Sequence, residues 1–176
     1  VLLIDPKSAD FTRYCGATIV KPNWKEFCLA TRQLPSRNSP AANGEAVDPD
    51  PHDDAQLAAI AAEMCEQAQL DHILITLGDQ GMVLYGPNCG LQRFTALAHD
   101  VYDVTGAGDT VNATLACMMA VERDPLLATH LANHAASIAV TKLGTIPVHT
   151  EELLASLAVR PAEKAFDDAE LHANLK

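Results

Sequence analysis

The sequence predicts a layered α/β domain in which one part of the sheet is antiparallel. Apolar runs alternate with helical segments in the first half of the chain, a pattern typical of strand–helix units. Two apolar runs separated by a short glycine-bounded turn follow at 72–85, and they predict a hairpin. A glycine-containing turn at 106–108 then opens a long run rich in Ala, Leu and Met, which are strong helix formers. Together these segments indicate a sheet covered by helices.

Composition and charge restrict the class of protein. The chain has 176 residues, 48% of them hydrophobic, which is enough for one globular domain with a core. Its net charge of -11 argues against nucleic acid or an anionic membrane as a partner. No apolar run reaches the ~20 residues of a membrane span, and nothing resembles a signal peptide. The five cysteines lack C-x-x-C spacing, which favours reduced thiols in the cytoplasm over disulfides or a zinc site.

The first predicted elements are two strands and a helix. The apolar run 1–4 predicts a strand buried on both faces, and 17–20 predicts the next strand. Asn23 can cap a helix from Trp24 to about Arg32, and Glu26 occupies its third position. Asn23 and Glu26 therefore match a capping box, which explains this pair without any function.

A long loop separates this helix from the next. The segment 33–54 contains four prolines and little apolar material, so it predicts a surface loop. Such a length without structure is typical either of function or of disorder, and the composition does not distinguish the two. A helix then starts at Asp53 and Asp54 and carries an apolar stripe as far as Ala68.

The middle of the chain predicts a meander of strands. His72–Leu77 has the pattern of a buried strand, Gly78–Gly81 predicts a turn, and Met82–Tyr85 predicts the returning strand. Gly90–Phe94 predicts a third strand of the same meander. Hairpin chemistry alone would explain the residues of the turn.

The C-terminal part predicts two further helices and a tail. A helix from about 125 to 142 is rich in alanine and ends at Gly144, as helices commonly do. Thr150 caps a short helix, Glu151–Leu157. The stretch 158–176 is polar and charged and predicts a linker.

The segment Asp103–Thr110 carries the clearest chemical signal. Gly106 and Gly108 let the backbone turn tightly and bring bare N–H groups close to a ligand. These groups lie at a helix N-terminus, where unpaired donors and the helix dipole attract anions. Asp109, in the first turn, places a base beside the bound anion, which is the chemistry of phosphoryl transfer to a hydroxyl. A plain strand-to-helix turn, with Asp109 complementing the dipole, stays open as the alternative.

These residues resemble a known family. The segment 103–109 is similar to the signature of the ribokinase/PfkB family of carbohydrate kinases, which carry G-A-G-D at this helix start. Lys-Pro-Asn-Trp-Lys-Glu at 21–26 and Thr-Leu-Gly-Asp-Gln-Gly at 76–81 match two further family segments in the same order. Within the family, the chain resembles the bacterial heptose-7-phosphate kinases, whose kinase domain is joined to an adenylyltransferase domain. Four segments carry this finer resemblance: 4–7, 13–18, 101–106 and 142–145.

The resemblance implies a fold and a domain organisation. It runs from Val1 to about Leu157 but covers only the C-terminal half of such a kinase. The implied fold is a three-layer ribokinase-like (Rossmann-like) α/β sandwich, of which residues 1–157 form the nucleotide-binding half. The tail, 158–176, would lead to the adenylyltransferase domain. Most sugar-binding residues of the family lie in the other half, so the isolated chain is expected to be inactive and to leave a sheet edge open for a homodimer or a partner strand.

The resemblance also implies an activity. It is ATP-dependent phosphorylation of a sugar hydroxyl, and in the heptose branch heptose 7-phosphate becomes the 1,7-bisphosphate, a precursor of lipopolysaccharide core. Asp109 matches the catalytic base of the family, and the amides of Gly106, Ala107 and Gly108 match its anion hole. Asp103 and Thr105 correspond to a loop that, in several relatives, binds a monovalent cation through backbone oxygens with help from near Gly144. The sequence leaves the use of K⁺ open.

Further residues match the nucleotide site of the family. Asn23 and Glu26 match the motif that organises Mg²⁺ on the nucleotide phosphates through water. Lys21 is placed to reach those phosphates, although a surface lysine would look the same. The remaining matches flank the nucleotide or line the adenine pocket: Thr76, Gly78, Gly81 and Asn133.

Two other functions stay open. One is a ribokinase-like kinase acting on a different sugar or on a nucleoside, because acceptor specificity lies outside this chain. The other is a non-catalytic remnant that keeps the fold and binds nucleotide or a protein partner. The presence of Asp109, Asn23 and Glu26 argues against decay of the site.

Overall fold

The computed structural model describes residues 1–34, 48–98 and 101–158, and a five-stranded sheet lies at the centre of this part of the chain. The strands lie in chain order across the sheet: β1 (Leu3–Ile4), β2 (Ile19–Val20), β3 (His72–Thr76), β4 (Met82–Gly86) and β5 (Gly90–Phe94). The helices are α1 (Trp24–Thr31), α2 (Asp54–Ala68), α3 (Ala107–Val121), α4 (Pro125–Ala139) and α5 (Thr150–Ala158). Strands β1 to β3 are parallel and β3 to β5 are antiparallel, so the predicted mixed sheet is confirmed.

Helices cover both faces of this sheet. Successive side chains of a strand point to opposite faces. Accordingly, Ile73 and Ile75 of β3 belong to the core beneath α1 and α2. Leu74, between them, belongs to a second core beneath α3 and α4. The three-layer arrangement that the resemblance implied is therefore confirmed.

Local sequence signals explain where α1 and α2 begin. The side chain of Asn23 accepts a hydrogen bond from the backbone of Glu26, and the Glu26 carboxylate accepts one from the backbone of Asn23, both at 2.9 Å. Asp53 in the same way accepts from the backbone of Gln56 at 2.9 Å. Caps of this kind stabilise a helix by about 1 kcal/mol each. The predicted helix starts are confirmed.

Strand β1 departs from the prediction. The apolar run 1–4 predicted a strand buried on both faces, but Val1 is 66% exposed and Leu2 is 48% exposed, while Leu3 and Ile4 are half-buried. The reason is topological: β1 ends the sheet, and β2 is the only strand beside it within the described residues. A run of apolar residues cannot by itself distinguish a central strand from an edge strand. The expected open sheet edge lies here.

The C-terminal helices also differ in detail from the prediction. Helix α4 ends at Ala139 rather than near 142, and Gly144 does not close it. The N–H of Gly144 instead donates to the Asp103 carboxylate at 3.0 Å, a tertiary contact that the local pattern does not contain. Thr150 is the first residue of α5 rather than its cap, and the Glu152 carboxylate accepts from the backbone of His149 at 2.8 Å.

The remaining expectations concern loops. The predicted hairpin at 72–85 and its third strand are confirmed. Of the predicted loop 33–54, residues 35–47 lie outside the described part of the chain, as does the tail beyond Ala158. In the ranges 1–34, 48–98 and 101–158 every helix is too short or too polar to cross a membrane.

Candidate functional site

The first turn of α3 presents backbone donors without a side-chain cap. Gly106 precedes the helix with φ of 81°, a left-handed conformation that glycine adopts readily. A Cβ at this position would also lie 3.1 Å from the methyl carbon of Thr145. No side chain accepts from the first turn at this N-cap. The N–H of Ala107 lies 3.2 Å from the carbonyl of Val104, so an anion at this amide would replace that bond. This end of α3 is suited to anions.

A buried ammonium lies beside that turn. Lys21 is only 5% exposed, although lysine is almost never buried without a partner. Its Nζ lies 3.1 Å from an Asp5 carboxylate oxygen. A Cβ built on Gly108 would lie 3.8 Å from the same Nζ, so Lys21 and the start of α3 are in van der Waals range. The fold therefore brings a cation and helix-terminal amides together, and Lys21 is not a surface lysine.

The predicted base lies in the same region. Asp109 is exposed in the first turn of α3. Lys7, an exposed residue of the loop after β1, forms an ion pair with Asp5 at 2.5 Å. The pKa of Lys7 is raised chiefly by its hydrogen bond to Asp5 and by the charge of that carboxylate. The charges of Glu26 and Asp109 raise it further. Glu26 and Asp109, far apart in sequence, thus act on the same ammonium.

Asn23, which forms the capping box with Glu26, lies beside Thr76, one of the candidate nucleotide-binding residues. Asn23 forms an isolated parallel bridge with Thr76, and the backbone N–H of Thr76 donates to the carbonyl of Pro22 at 3.0 Å. Asn23 and Thr76 therefore lie side by side at the carboxyl ends of the parallel strands β2 and β3. The capping box uses the single side-chain oxygen of Asn23 and one of the two carboxylate oxygens of Glu26, and the second Glu26 oxygen is not part of it.

Gly78 and Gly81, the two candidate glycines of the hairpin, differ in what the fold requires of them. Gly81 has φ of 91°, and a Cβ there would meet the carbonyl oxygen of Phe94 at 2.0 Å. The fold alone therefore requires glycine at this position. Gly78 has φ of 64°, and a Cβ there would meet nothing within 4 Å. Open space beside Gly78, next to Thr76, is available to a ligand.

The loop after residue 100 is held by Asp103. One carboxylate oxygen accepts from the backbone of Thr105 at 2.9 Å, and the other accepts from the backbone of Gly144 at 3.0 Å. These bonds, first those of Thr105 and then that of Gly144, hold the pKa of Asp103 below its usual range. The Asp103 side chain therefore ties two loops together.

Asn133 has a structural partner. It is 6% exposed on α4, and its side-chain amide donates to the carbonyl of Thr95 at 2.8 Å, just beyond β5. None of the hydrogen bonds described for it leads to Lys21 or to the start of α3. The fold thus brings together most candidate residues around β2, β3 and α3, whereas Asn133 on α4 hydrogen-bonds to the segment that follows β5.

Sequence reasoning missed Asp5 as part of this site. Partial burial by itself would raise the pKa of the Asp5 carboxyl. The hydrogen bonds and charges of Lys7 and Lys21 outweigh burial, so the pKa of Asp5 lies below its usual value. The signal that could have found it is the repeated X-Pro ending of β1 and β2, Asp5-Pro6 and Lys21-Pro22. In neighbouring parallel strands, such matching ends place their residues side by side.

Comparison with known proteins identifies the family of the chain. Residues 3–152 match the model of the pfkB family carbohydrate kinases. The chain is 41% identical over 152 residues to the bifunctional protein HldE of Methylococcus capsulatus, covering 86% of this chain and 28% of that protein. It is 39% identical over 158 residues to the bifunctional protein HldE of Pelobacter propionicus, covering 90% and 29%. The chain thus spans less than a third of the length of these relatives.

Solved structures show the same fold. The ribokinase of Thermotoga maritima aligns with a TM-score of 0.70 at 24% identity, over 89% of this chain and 48% of that one. The Arabidopsis thaliana ribokinase complexed with ribose and ATP aligns with a TM-score of 0.66 at 20% identity, over 90% and 47%. This chain therefore corresponds to about half of a ribokinase fold. Because the family model matches residues 3–152, most of the chain, the chain belongs to the pfkB family of carbohydrate kinases.

Proposed function

We propose that this chain carries the ATP site and the catalytic base of a sugar kinase that phosphorylates heptose 7-phosphate at its anomeric hydroxyl. One observation carries the proposal: the buried Lys21 ammonium, the uncapped start of α3 and the exposed Asp109 carboxylate meet at one edge of the sheet. Cation, amides and base are the parts that phosphoryl transfer requires. The choice of heptose rests on the resemblance of the segments 4–7, 13–18, 101–106 and 142–145 to that branch of the family.

In this mechanism Asp109 accepts the proton of the sugar hydroxyl as the hydroxyl oxygen attacks the γ-phosphorus of ATP. The bond between that phosphorus and the oxygen bridging to the β-phosphate breaks, and ADP leaves. A positioned base of this kind contributes about 10² to 10⁴-fold in rate. The amides at Gly106, Ala107 and Gly108 stabilise the negative charge that develops on the transferred group. One such donor is worth about 10² to 10³-fold. The Lys21 ammonium adds a fixed positive charge at the phosphate site. This charge matters because the chain as a whole is acidic, with a net charge of -11.

Mg²⁺ fits the donor set of this region. Asn23 and Glu26 offer oxygen atoms, the ligand type that Mg²⁺ prefers, one helical turn apart at the carboxyl end of β2. Because their capping box already uses the single side-chain oxygen of Asn23 and one oxygen of Glu26, binding through water molecules on the metal suits them better than direct ligation. The ion, when bound, would neutralise phosphate charge, and the two side chains would orient its water shell.

The nucleotide is proposed to lie along the hairpin. Thr76 and Gly78 would flank it, with Gly81 supplying the turn, and Asn133 is assigned to the adenine pocket by the family match. Asn133 already donates to Thr95, so this assignment requires its other amide hydrogen or its carbonyl oxygen. For Asp103 and Thr105, the monovalent cation would have to bind backbone oxygens.

The wider organisation belongs to the same proposal. Residues 1–157 would be the nucleotide-binding half of the kinase domain, and 158–176 would begin the route to an adenylyltransferase domain. The relatives are named bifunctional proteins, which supports a second domain. The protein would act in the cytoplasm on ATP and a sugar phosphate, and the open β1 edge could pair with the rest of the domain or with a second copy.

Gly108 offers a direct test of the anion site. A Cβ at this position would be in ordinary contact with the Lys21 ammonium, but the extra methyl groups of valine would displace it. We therefore expect Gly108→Val to weaken binding of Mg·ATP, measured by calorimetry on this chain, by at least about tenfold. Gly108→Ala is the matched control, since it should stabilise α3 and lower the affinity less. Equal affinity of the valine variant and the parent would remove the anion site from this turn.

Glu26→Gln separates the cap from the metal role. A glutamine carbonyl can still accept from the backbone of Asn23, so the free energy of unfolding should change by less than about 0.5 kcal/mol. The lost charge should, however, raise the Mg²⁺ concentration needed for half-maximal ATP binding several-fold. Denaturant unfolding and Mg²⁺ titrations on the same variant provide the two readings. An unchanged Mg²⁺ requirement would leave Glu26 as a capping residue.

A further inference from the structure

Asp5 and Lys21 occupy equivalent positions at the ends of neighbouring strands. The parallel register pairs Leu3 with Ile19 and Ile4 with Val20, so the next pair in the same register is Asp5 and Lys21. The backbone N–H of Lys21 donates to the carbonyl of Ile4 at 2.8 Å, which continues the pairing to this point. The two side chains therefore leave the same edge of the sheet next to each other.

A proline follows each of the two residues. A proline ring disfavours helical conformations of the residue before it, so Asp5 and Lys21 are both held in extended backbone. Pro6 and Pro22 are themselves buried. The backbone that carries the ion pair is thus restricted on both strands.

The position of the Lys21 ammonium requires a nearby anion. It lies close to the N-terminus of α3, which carries the positive end of the helix dipole. A buried cation at that place is unfavourable unless a negative charge compensates it. Asp5 supplies that charge at 3.1 Å. Asp5 also pairs with Lys7, so one carboxylate faces two ammonium groups.

We infer that Asp5 is a positioning residue, which holds the Lys21 ammonium over the first turn of α3 so that it meets a nucleotide phosphate without rearrangement. This inference rests on the proposed function, because it takes that turn as the phosphate site. It assigns a role to Asp5, in the Asp-Pro pair that follows β1. Asp5 is not among the residues proposed above for the ATP site. Asp5 itself touches no phosphate and acts through Lys21.

The sign of one effect distinguishes positioning from simple charge. A carboxylate near a phosphate repels it, so removing the charge of Asp5 should tighten ATP binding if Asp5 is only a neighbour. If Asp5 positions Lys21, the same change releases the ammonium from its place and weakens binding. Asp71→Asn is a matched control, since it removes one charge from an exposed residue before β3, at the opposite end of the sheet.

The test is a double-mutant cycle on this chain, with Mg·ATP affinity measured by calorimetry and folding checked by circular dichroism. We expect Asp5→Asn to weaken binding at least fivefold in the parent and to cause no further loss in a Lys21→Met background. In a Lys7→Met background Asp5→Asn should still weaken binding, and Asp71→Asn should change the affinity less than twofold. Unchanged or tighter binding by Asp5→Asn overturns the inference, as does an equal loss with and without Lys21.

A second variant covers the case in which Asp5→Asn does not fold. Asp5→Glu keeps the charge on a longer side chain, so the ammonium is displaced but remains paired. It should weaken Mg·ATP binding in the parent and not in the Lys21→Met background, and parental affinity of a folded Asp5→Glu would overturn the inference. If the parent chain itself fails to bind Mg·ATP, the proposed function fails. If the parent binds and the Asp5 variants are unaffected, only the role of Asp5 fails.

Discussion

Asp109→Asn is expected to lower the turnover of a complete kinase at least about 100-fold while leaving its affinity for Mg·ATP within about threefold. Asparagine has the shape of aspartate but cannot accept the proton of the sugar hydroxyl. Because Asp109 is exposed in the first turn of α3, the change should not disturb packing. The complete kinase for this test is a chimera in which this chain replaces the matched segment of the Methylococcus capsulatus relative.

A control on the same helix makes the Asp109 result specific. Glu122 is exposed at the other end of α3, so Glu122→Gln removes an equal charge far from the first turn. Its turnover should stay within about twofold of the parent chimera, as usual for a surface substitution. If Asp109→Asn also kept its turnover within about threefold, Asp109 would be a residue that only complements the helix dipole.

The second large effect that we expect is a loss of activity. The isolated chain should show no turnover that depends on heptose 7-phosphate. Holding the acceptor hydroxyl near the γ-phosphorus supplies about 7 to 11 kcal/mol of the barrier in reactions of this kind. The resemblance to the family predicts that most groups that hold the sugar lie in the half of the fold that this chain does not cover. The chain corresponds to 48% of the Thermotoga maritima ribokinase.

A coupled assay of ADP release measures this second effect. The isolated chain and the chimera are compared at equal concentration, each with and without heptose 7-phosphate. ADP release by the isolated chain should not depend on the sugar. Sugar-dependent release at a rate comparable to the chimera would show that this chain holds the acceptor on its own.

Elements with local signals could be predicted from the sequence. The capping box of Asn23 and Glu26 fixed the start of α1, because both hydrogen bonds join residues three apart. Asp53 marked α2 for the same reason. The Gly106–Gly108 turn marked the start of α3, where positive φ at Gly106 needs glycine.

Features that depend on distant contacts could not be predicted. The end of α4 differs because Gly144 is taken by Asp103, 41 residues earlier. The exposure of β1 depends on its place at the sheet edge, which an apolar run does not encode. The pairing of Asp5 with Lys21 depends on the register of β1 against β2. The same limit applies to Asn133, whose contact with Thr95 spans 38 residues.

The chimera itself provides the most direct measurement. If this chain carries a working ATP site and base, the chimera with the Methylococcus capsulatus relative should release ADP in a heptose 7-phosphate-dependent manner, within about tenfold of the unaltered relative. The 41% identity over the exchanged segment makes a folded product the expected outcome. A chimera that unfolds cooperatively like the relative but shows no sugar-dependent ADP release would contradict the assignment of the ATP site and the base to this chain.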